Sequence, residues 1–243
     1  MNFRQLLDNT FEFDFVDAPY ASTPATGVEL FYAPPYYSFY DPDLESIKKA
    51  HRWLLDYVDE HGPYDGVMNF SQGCALSSTL LLYHQKFHPD KPPPFKVAMF
   101  ICGGIVLSAL DDLGFVVSEE AKEIDEKSKV QLLSRASTEA ILKDGSNRWG
   151  VGFDPLSQKD KSNIFGFNFE NIPKDRMIQI PTVHVYGAKD PRYPSSITLA
   201  HFCKASVRKT YDHGGGHDIP RTRDVNIAMA ELVEWCGMMA DSR

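Results

Sequence analysis

The near-continuous apolar run from Phe95 to Val106 constrains this chain more than any other segment. A strand that is apolar at almost every position needs cover on both faces, a condition met in parallel sheets flanked by crossover helices. Ile180 to Tyr186 is a second run of this kind. Ala205 to Tyr211 is shorter and more polar, which suits a strand near a sheet edge. Tyr64 to Phe70 reads as a short strand, and Phe11 to Val16, alternating apolar and acidic residues before Asp17-Ala18-Pro19, as another. Between them lie helical periodicities. Leu44, Ile47, Ala50, Leu54, Tyr57 and Val58 recur at helical spacing within 43–61 and stop at Gly62-Pro63. A helix from Cys74 carries Leu76, Thr79, Leu80 and Tyr83 and ends before Pro89, and the last helix spans 221–239. Strands alternating with helices predict an α/β fold, a mostly parallel sheet with helices on both faces.

A chain of 243 residues with 43% apolar composition is expected to form a single domain over 1–243 with a continuous core. The formal charge of -8, without a basic run or stripe, argues against a nucleic-acid partner. No apolar stretch is long enough to span a bilayer, since Val97 to Leu110 is short and broken by Gly103-Gly104. The first ten residues lack the apolar region and cleavage pattern of a signal peptide. Cys74, Cys102, Cys203 and Cys236 are widely spaced with no C-x-x-C pair, so reduced, mostly buried thiols in a cytoplasmic protein are expected, with no metal or cofactor. The stretch 111–174 breaks the strand–helix rhythm, with charges over 119–129 and Asn147-Arg148-Trp149-Gly150. It reads as a lid-like insertion of helices and loops over the carboxyl edge of the sheet, where open α/β folds bind ligands.

Chemistry concentrates at Asn69-Phe70-Ser71-Gln72-Gly73, a serine between a strand and a helix. Serine is a weak nucleophile and needs a base and a site for the developing oxyanion. A sharp strand-to-helix turn raises the hydroxyl clear of the sheet and aims the next backbone N–H, that of Gln72, at the reacting carbonyl. The second glycine of the usual pattern is present, and Asn69 stands where the first is expected. In such a fold the acid and the histidine follow the serine in that order. Asp190 ends a strand-to-loop segment, Val183 to Pro191, and His217 follows three glycines after another strand. His213 is a competing base, placed before the glycines rather than after them. His184 reads as a core residue of an apolar strand, and Asp65 and Asp154 as turn residues.

Together these segments resemble a known family. Gly62-Pro63-Tyr64-Asp65-Gly66-Val67 with Phe70-Ser71-Gln72-Gly73 looks like the "GPfDGvlGFSQGa" segment of the family of serine hydrolases, an FSH-type branch of the α/β hydrolases widespread in fungi. Phe13-Asp14-Phe15-Val16-Asp17-Ala18-Pro19 is similar to its "fvDAP" strand, Pro181 to Gly187 with Asp190 to "PtlHvyGxxD", and Gly215-Gly216-His217 with Ile219-Pro220 to "GGHxiP". The resemblance spans about residues 3–237. It implies an α/β-hydrolase fold and a triad of Ser71, Asp190 and His217, with the Gln72 N–H in the oxyanion hole. It also implies an ester or thioester substrate, as in esterases and in the thioesterases of fungal secondary-metabolite clusters that release polyketides from an acyl carrier protein. The Tyr- and Pro-rich stretch 32–42 is similar to the cluster-associated subset.

Two departures stand out against the resemblance. Asn69 replaces a glycine. Family members also carry an N-terminal strand and a His-Gly-x-Gly-type loop that donates a second oxyanion N–H, and Phe3 to Leu7 resembles the helix that follows that loop. The expectation is therefore a sheet lacking that strand and an oxyanion hole with only Gln72 assigned. A truncated chain, another segment filling the gap, or a weakened hydrolase that binds a small molecule or carrier protein without turnover are the alternatives. Substrate size is expected to be set by 111–174 and the loop at 32–40. Phe115, Trp149, Phe153, Phe165, Phe167 and Phe169 favour a hydrophobic acyl or polyketide chain, although ordinary core packing is the alternative for most of them.

Overall fold

The structure, a computed structural model, describes residues 2–24, 28–30, 32–134 and 155–242. Among the described residues there are two sheets. The smaller pairs β1 (Tyr20–Ser22) with β2 (Tyr36–Ser38) antiparallel, so that the aromatic stretch 32–40 contains a short strand. The larger has four parallel strands in the order β3 (Gly66–Phe70), β4 (Val97–Ile101), β5 (Thr182–Tyr186) and β6 (Arg208–Asp212). β4 and β5 are buried at every position, β4 with an apolar sequence and β5 with Thr182 and His184 among its apolar residues, whereas β6 lies at the edge with an exposed pattern.

Side chains alternate across β4, and this alternation separates two cores. Val97, Met99 and Ile101 join Val183 and Val185 against Val225, Met229 and Val233 of α6 (Arg223–Asp241). Ala98 and Phe100 face the opposite way, against Cys74, Leu81 and Leu82 of α2 (Gln72–Phe87) and Ile197 and Leu199 of α5 (Tyr193–His201). α1 (Leu44–His61) covers α2 through Ile47, Ala50 and Leu54, starting at Asp43, whose carboxylate accepts the Ser46 N–H, and closing at Gly62. Each fully buried side chain, such as Phe100 or Ile197, contributes about 1.5–3 kcal/mol by leaving water.

The segment 11–16 corrects one expectation: it forms no strand. Phe11 and Phe13 pack onto the α6 core, and the Phe11 ring lies on Gly237, where a Cβ would come within 3.0 Å of it. The Asp14 carboxylate accepts hydrogen bonds from the hydroxyls of Tyr57, at 2.7 Å, and Tyr64. Side-chain anchoring thus holds the segment where the sequence alternation predicts a backbone ladder. Among the described residues, β3 has no strand on its outer side.

After β4 come two helices, α3 (Leu107–Asp112) and α4 (Glu119–Leu133). Phe115, Phe167 and Phe169 belong to the core, and Phe115 and Phe167 also line a cavity between 114–120 and 162–176. All three are 3–7% exposed and pack with Phe202 inside the core, with the Arg176 guanidinium over the Phe115 ring. Phe165, half-buried, lies edge-on to Tyr193. Trp149, Phe153 and Asp154 lie outside the described residues.

Candidate active site

Ser71 sits between β3 and α2 with φ 50° and ψ -110°, a backbone region that side chains rarely adopt. Its N–H donates to Ile101 O at 3.0 Å, which extends the β3–β4 ladder to the turn and fixes where the hydroxyl emerges. Room at Gly73 is limited: an added Cβ would lie a tight 3.3 Å from Asn69 Oδ1 and 3.7 Å from the Phe39 ring. The Asn69 side chain thus occupies space beside the turn, and its Nδ2 is buried without a hydrogen-bond partner.

The histidine and the acid come from the loops after β6 and β5. His217 Nε2 is 2.9 Å from Ser71 Oγ, and its Nδ1 is 2.8 Å from Asp190 Oδ2. A carboxylate only accepts, so Nδ1 carries the ring proton and the bare Nε2 accepts the serine O–H. The Asp190 side chain is fully buried, and its other oxygen accepts the Arg192 N–H at 2.7 Å. A buried carboxylate needs such partners, because an unpaired charge there is very costly. The Phe70 ring flanks the imidazole at 5.2 Å.

The two loops meet backbone to backbone. A Cβ at Gly187 would come within 2.1 Å of Gly215 O, so only glycine fits. Lys189 N–H donates to Gly215 O at 2.9 Å, and His213 N–H to Tyr186 O at 2.9 Å. Asp212 Oδ1 accepts the N–H groups of Ala188 and Gly214, and Gly214 takes φ 68°. Of the three glycines before His217, Gly214 is the one the turn requires for its backbone angle.

Ser71, Asp190 and His217 are therefore brought together, and Gln72 begins α2, where its N–H has no acceptor within the helix. His213 is not placed to serve Ser71: its Nδ1 accepts the Gly215 N–H and its Nε2 faces Cys102. His184 is a core residue bonded to Thr182 Oγ1, and burial holds its pKa well below the ordinary histidine value. Asp65 is exposed and paired with Lys96. All four cysteines are unpaired and buried.

Three features went unrecognised in the sequence. The Gln72 side chain docks the 38–40 loop, accepting from Phe39 N at 3.1 Å and donating to Tyr40 O at 3.1 Å. Arg192 ties the Asp190 turn to α4, donating to Asp125 Oδ1 at 2.8 Å and to Ser128 Oγ at 2.6 Å. Cys102, directly after β4, has φ 47° and lies with Asp190 and His217 in a group whose ligating atoms are within 4.8 Å of one another. The apolar-run-then-Gly-Gly pattern at 97–104 was the available signal for a special turn there. A cavity of about 390 Å³ between 114–120 and 162–176 includes none of the triad side chains in its lining.

A strained serine at a strand–helix elbow, with a histidine and a carboxylate on the loops after the two following strands, is the arrangement of an α/β-hydrolase serine hydrolase. Residues 1–229 match the family described as serine hydrolase (FSH1), and the chain belongs to it. Similar curated proteins include Hydrolase FUB4 of Fusarium oxysporum, 29% identical over 93% of this chain and 87% of the relative. Esterase FPY3 of Fusarium mangiferae is 27% identical over 92% and 80%, and Esterase alnB of Emericella nidulans 26% over 96% and 88%. Among solved structures, a fungal esterase of Rhizomucor miehei aligns with TM-score 0.45 and 11% identity, covering 80% of this chain and 58% of that one. No described helix is long and apolar enough to cross a membrane.

Proposed function

We propose that this chain cleaves an ester or thioester of a hydrophobic acyl or polyketide chain through an acyl-serine intermediate at Ser71. The observation that carries the reading is the continuous hydrogen-bonded path from Ser71 Oγ through His217 to Asp190, at 2.9 and 2.8 Å. Ser71 attacks the carbonyl carbon while His217 Nε2 takes its proton. The Gln72 N–H stabilises the oxyanion, and the protonated His217 then delivers the proton to the departing alcohol or thiol. Water repeats the sequence on the acyl-enzyme, with His217 again as base. Asp190 holds the imidazole in the required tautomer and balances its charge when protonated.

Support for an apolar acyl group is the aromatic stretch 32–40, whose backbone at Phe39 and Tyr40 is bonded to the Gln72 side chain beside the nucleophile and which leaves the Tyr32 and Tyr37 rings exposed. The names of the relatives, hydrolases and esterases, agree with ester cleavage. The resemblance to cluster-associated thioesterases supports an acyl chain delivered by a carrier protein. We assign the whole of 1–243 to one domain, with 111–174 as its insertion.

Nitrophenyl esters and acyl thioesters of increasing chain length, assayed with the wild type and Ser71→Ala, test this. Activity rising with acyl length and absent in Ser71→Ala is expected. A preference for short polar acyl groups overturns the substrate assignment, and wild-type rates in Ser71→Ala overturn the mechanism. Faster release from a carrier-bound thioester than from the free thioester identifies the carrier as partner, and equal rates remove it.

A further inference from the structure

We propose that Cys102 and His213 act as a clamp that positions His217, two residues outside the triad that set its catalytic geometry. This inference rests on the triad reading given above.

The hydrogen bonds fix the direction of the clamp. His213 Nδ1 accepts the Gly215 N–H at 3.1 Å, so that nitrogen carries no proton. The neutral ring then bears its proton on Nε2, which faces Cys102 Sγ at 3.8 Å. Burial lowers the pKa of His213 and favours this neutral form, against the opposing pull of Asp218, Asp212 and Asp190. With its sulfur receiving that N–H, the Cys102 thiol is free to donate elsewhere. Its neighbouring acceptors are Asp218 O at 3.6 Å and Gly216 O at 3.9 Å, the carbonyls on either side of His217, with the Asp190 carboxylate beside them. The thiol therefore stays protonated, its pKa pushed up first by burial and then by the charge of Asp190. Gly215, Gly216 and Asp218 are all tied to the pair, and His217 lies among them.

Cys102 is itself rigidly held. It is 1% exposed, and its N–H donates to Val185 O at 2.8 Å. Its φ of 47° is a conformation glycine adopts freely and side chains rarely do. Glycines occupy the next two positions, yet this one carries a thiol aimed at the His217 loop. Strain of this kind, kept where it aims a side chain at a reacting group, indicates a role in positioning. Loss of the clamp lets the imidazole drift from its in-line position, and small misplacements of a reacting group lower the rate more than they weaken substrate binding.

The test compares wild type, Cys102→Ala, Cys102→Ser, His213→Asn and the Cys102→Ala/His213→Asn double variant. Readouts are kcat and KM on one ester, the rate of fluorophosphonate labelling, and the low-field proton resonance of the His217 Nδ1–H. Asn at 213 keeps an acceptor for Gly215, and its NH2 group is set too short on the side chain to reach the sulfur from where Nε2 stood. Expected results are a kcat about 10-fold lower with KM within about 2-fold for Cys102→Ala and His213→Asn, and a broadened or shifted resonance. Cys102→Ser, which retains a donor and an acceptor, recovers most of the rate. The double variant falls no further than the single ones, because both break one clamp. Folded variants with wild-type kcat and an unchanged resonance overturn the clamp, as does a loss confined to KM or to thermal stability. Absence of labelling in the wild type instead overturns the triad reading, so the two failures are told apart.

Discussion

β3 and β4 are neighbours in register, Phe70 opposite Ile101, and each is followed by a non-glycine residue in left-handed backbone, Ser71 at φ 50° and Cys102 at φ 47°. The backbone device is the same and the side chains diverge. Ser71 opens a helix and presents its hydroxyl to His217 from one side. Cys102 enters a glycine turn and presents its thiol, buried, to the carbonyls flanking His217 from beneath. Adjacent strand ends thus approach one imidazole with a reacting atom and a supporting one. Position in the sheet places both; the chemistry of the side chain separates their roles.

The comparison can be broken at several points. Ser71→Ala has the largest effect, a kcat loss of about 10⁴-fold or more on any ester the wild type cleaves, against about 10-fold for Cys102→Ala. Next is Gly187→Ala, whose Cβ would strike Gly215 O at 2.1 Å and push the two loops apart. An approximately 100-fold fall in kcat is expected, with a lowered melting temperature, read by ester assay and calorimetry.

A smaller effect lies in the helix behind Ser71. His51 of α1 is bonded to Thr79 of α2 at 2.9 Å, and burial lowers its pKa to about 4. Near pH 7 both folded and unfolded states hold it neutral. As pH falls below the unfolded value of 6.5, the unfolded chain gains a proton that the folded chain refuses, so stability is lost down to about pH 4. The full loss amounts to about 3 kcal/mol. Urea titrations at pH 7 and 4.5 should show a shallower acid loss in His51→Gln than in wild type.

Shared strain gives the smallest effect. At both positions the glycine variant should be more stable than the alanine variant by about 1 kcal/mol, since glycine alone adopts the left-handed backbone freely. Equal stabilities of Ala and Gly at either site remove the common backbone device.

Much of this was legible in the residues. The apolar run at 97–101 fixed one central strand because burial on both faces leaves it no polar position, and 182–186 fixed the other although Thr182 and His184 interrupt it, since these two bond to each other inside the core. Ser71, Asp190 and His217 could be read because the chemistry demands their order and their places at strand ends. The strand expected over 11–16 failed because periodicity reports which side chains are buried, while pairing depends on a partner backbone. There the burial is supplied by α6 and the hydrogen bonds by Tyr57 and Tyr64. Composition alone leaves the aromatics of 111–174 open between core and pocket, and the structure places Phe169 in the core and Phe167 both in the core and at the edge of a cavity. At Cys102 the following Gly103-Gly104 signals a turn, but not that the cysteine itself takes a positive φ.

The most direct measurement is intact-mass analysis after fluorophosphonate treatment of the wild type, Ser71→Ala and His217→Ala. A single adduct on the wild type, absent from Ser71→Ala and strongly slowed in His217→Ala, is the predicted result. An adduct that persists in Ser71→Ala, or a folded wild type that takes none, would contradict the account.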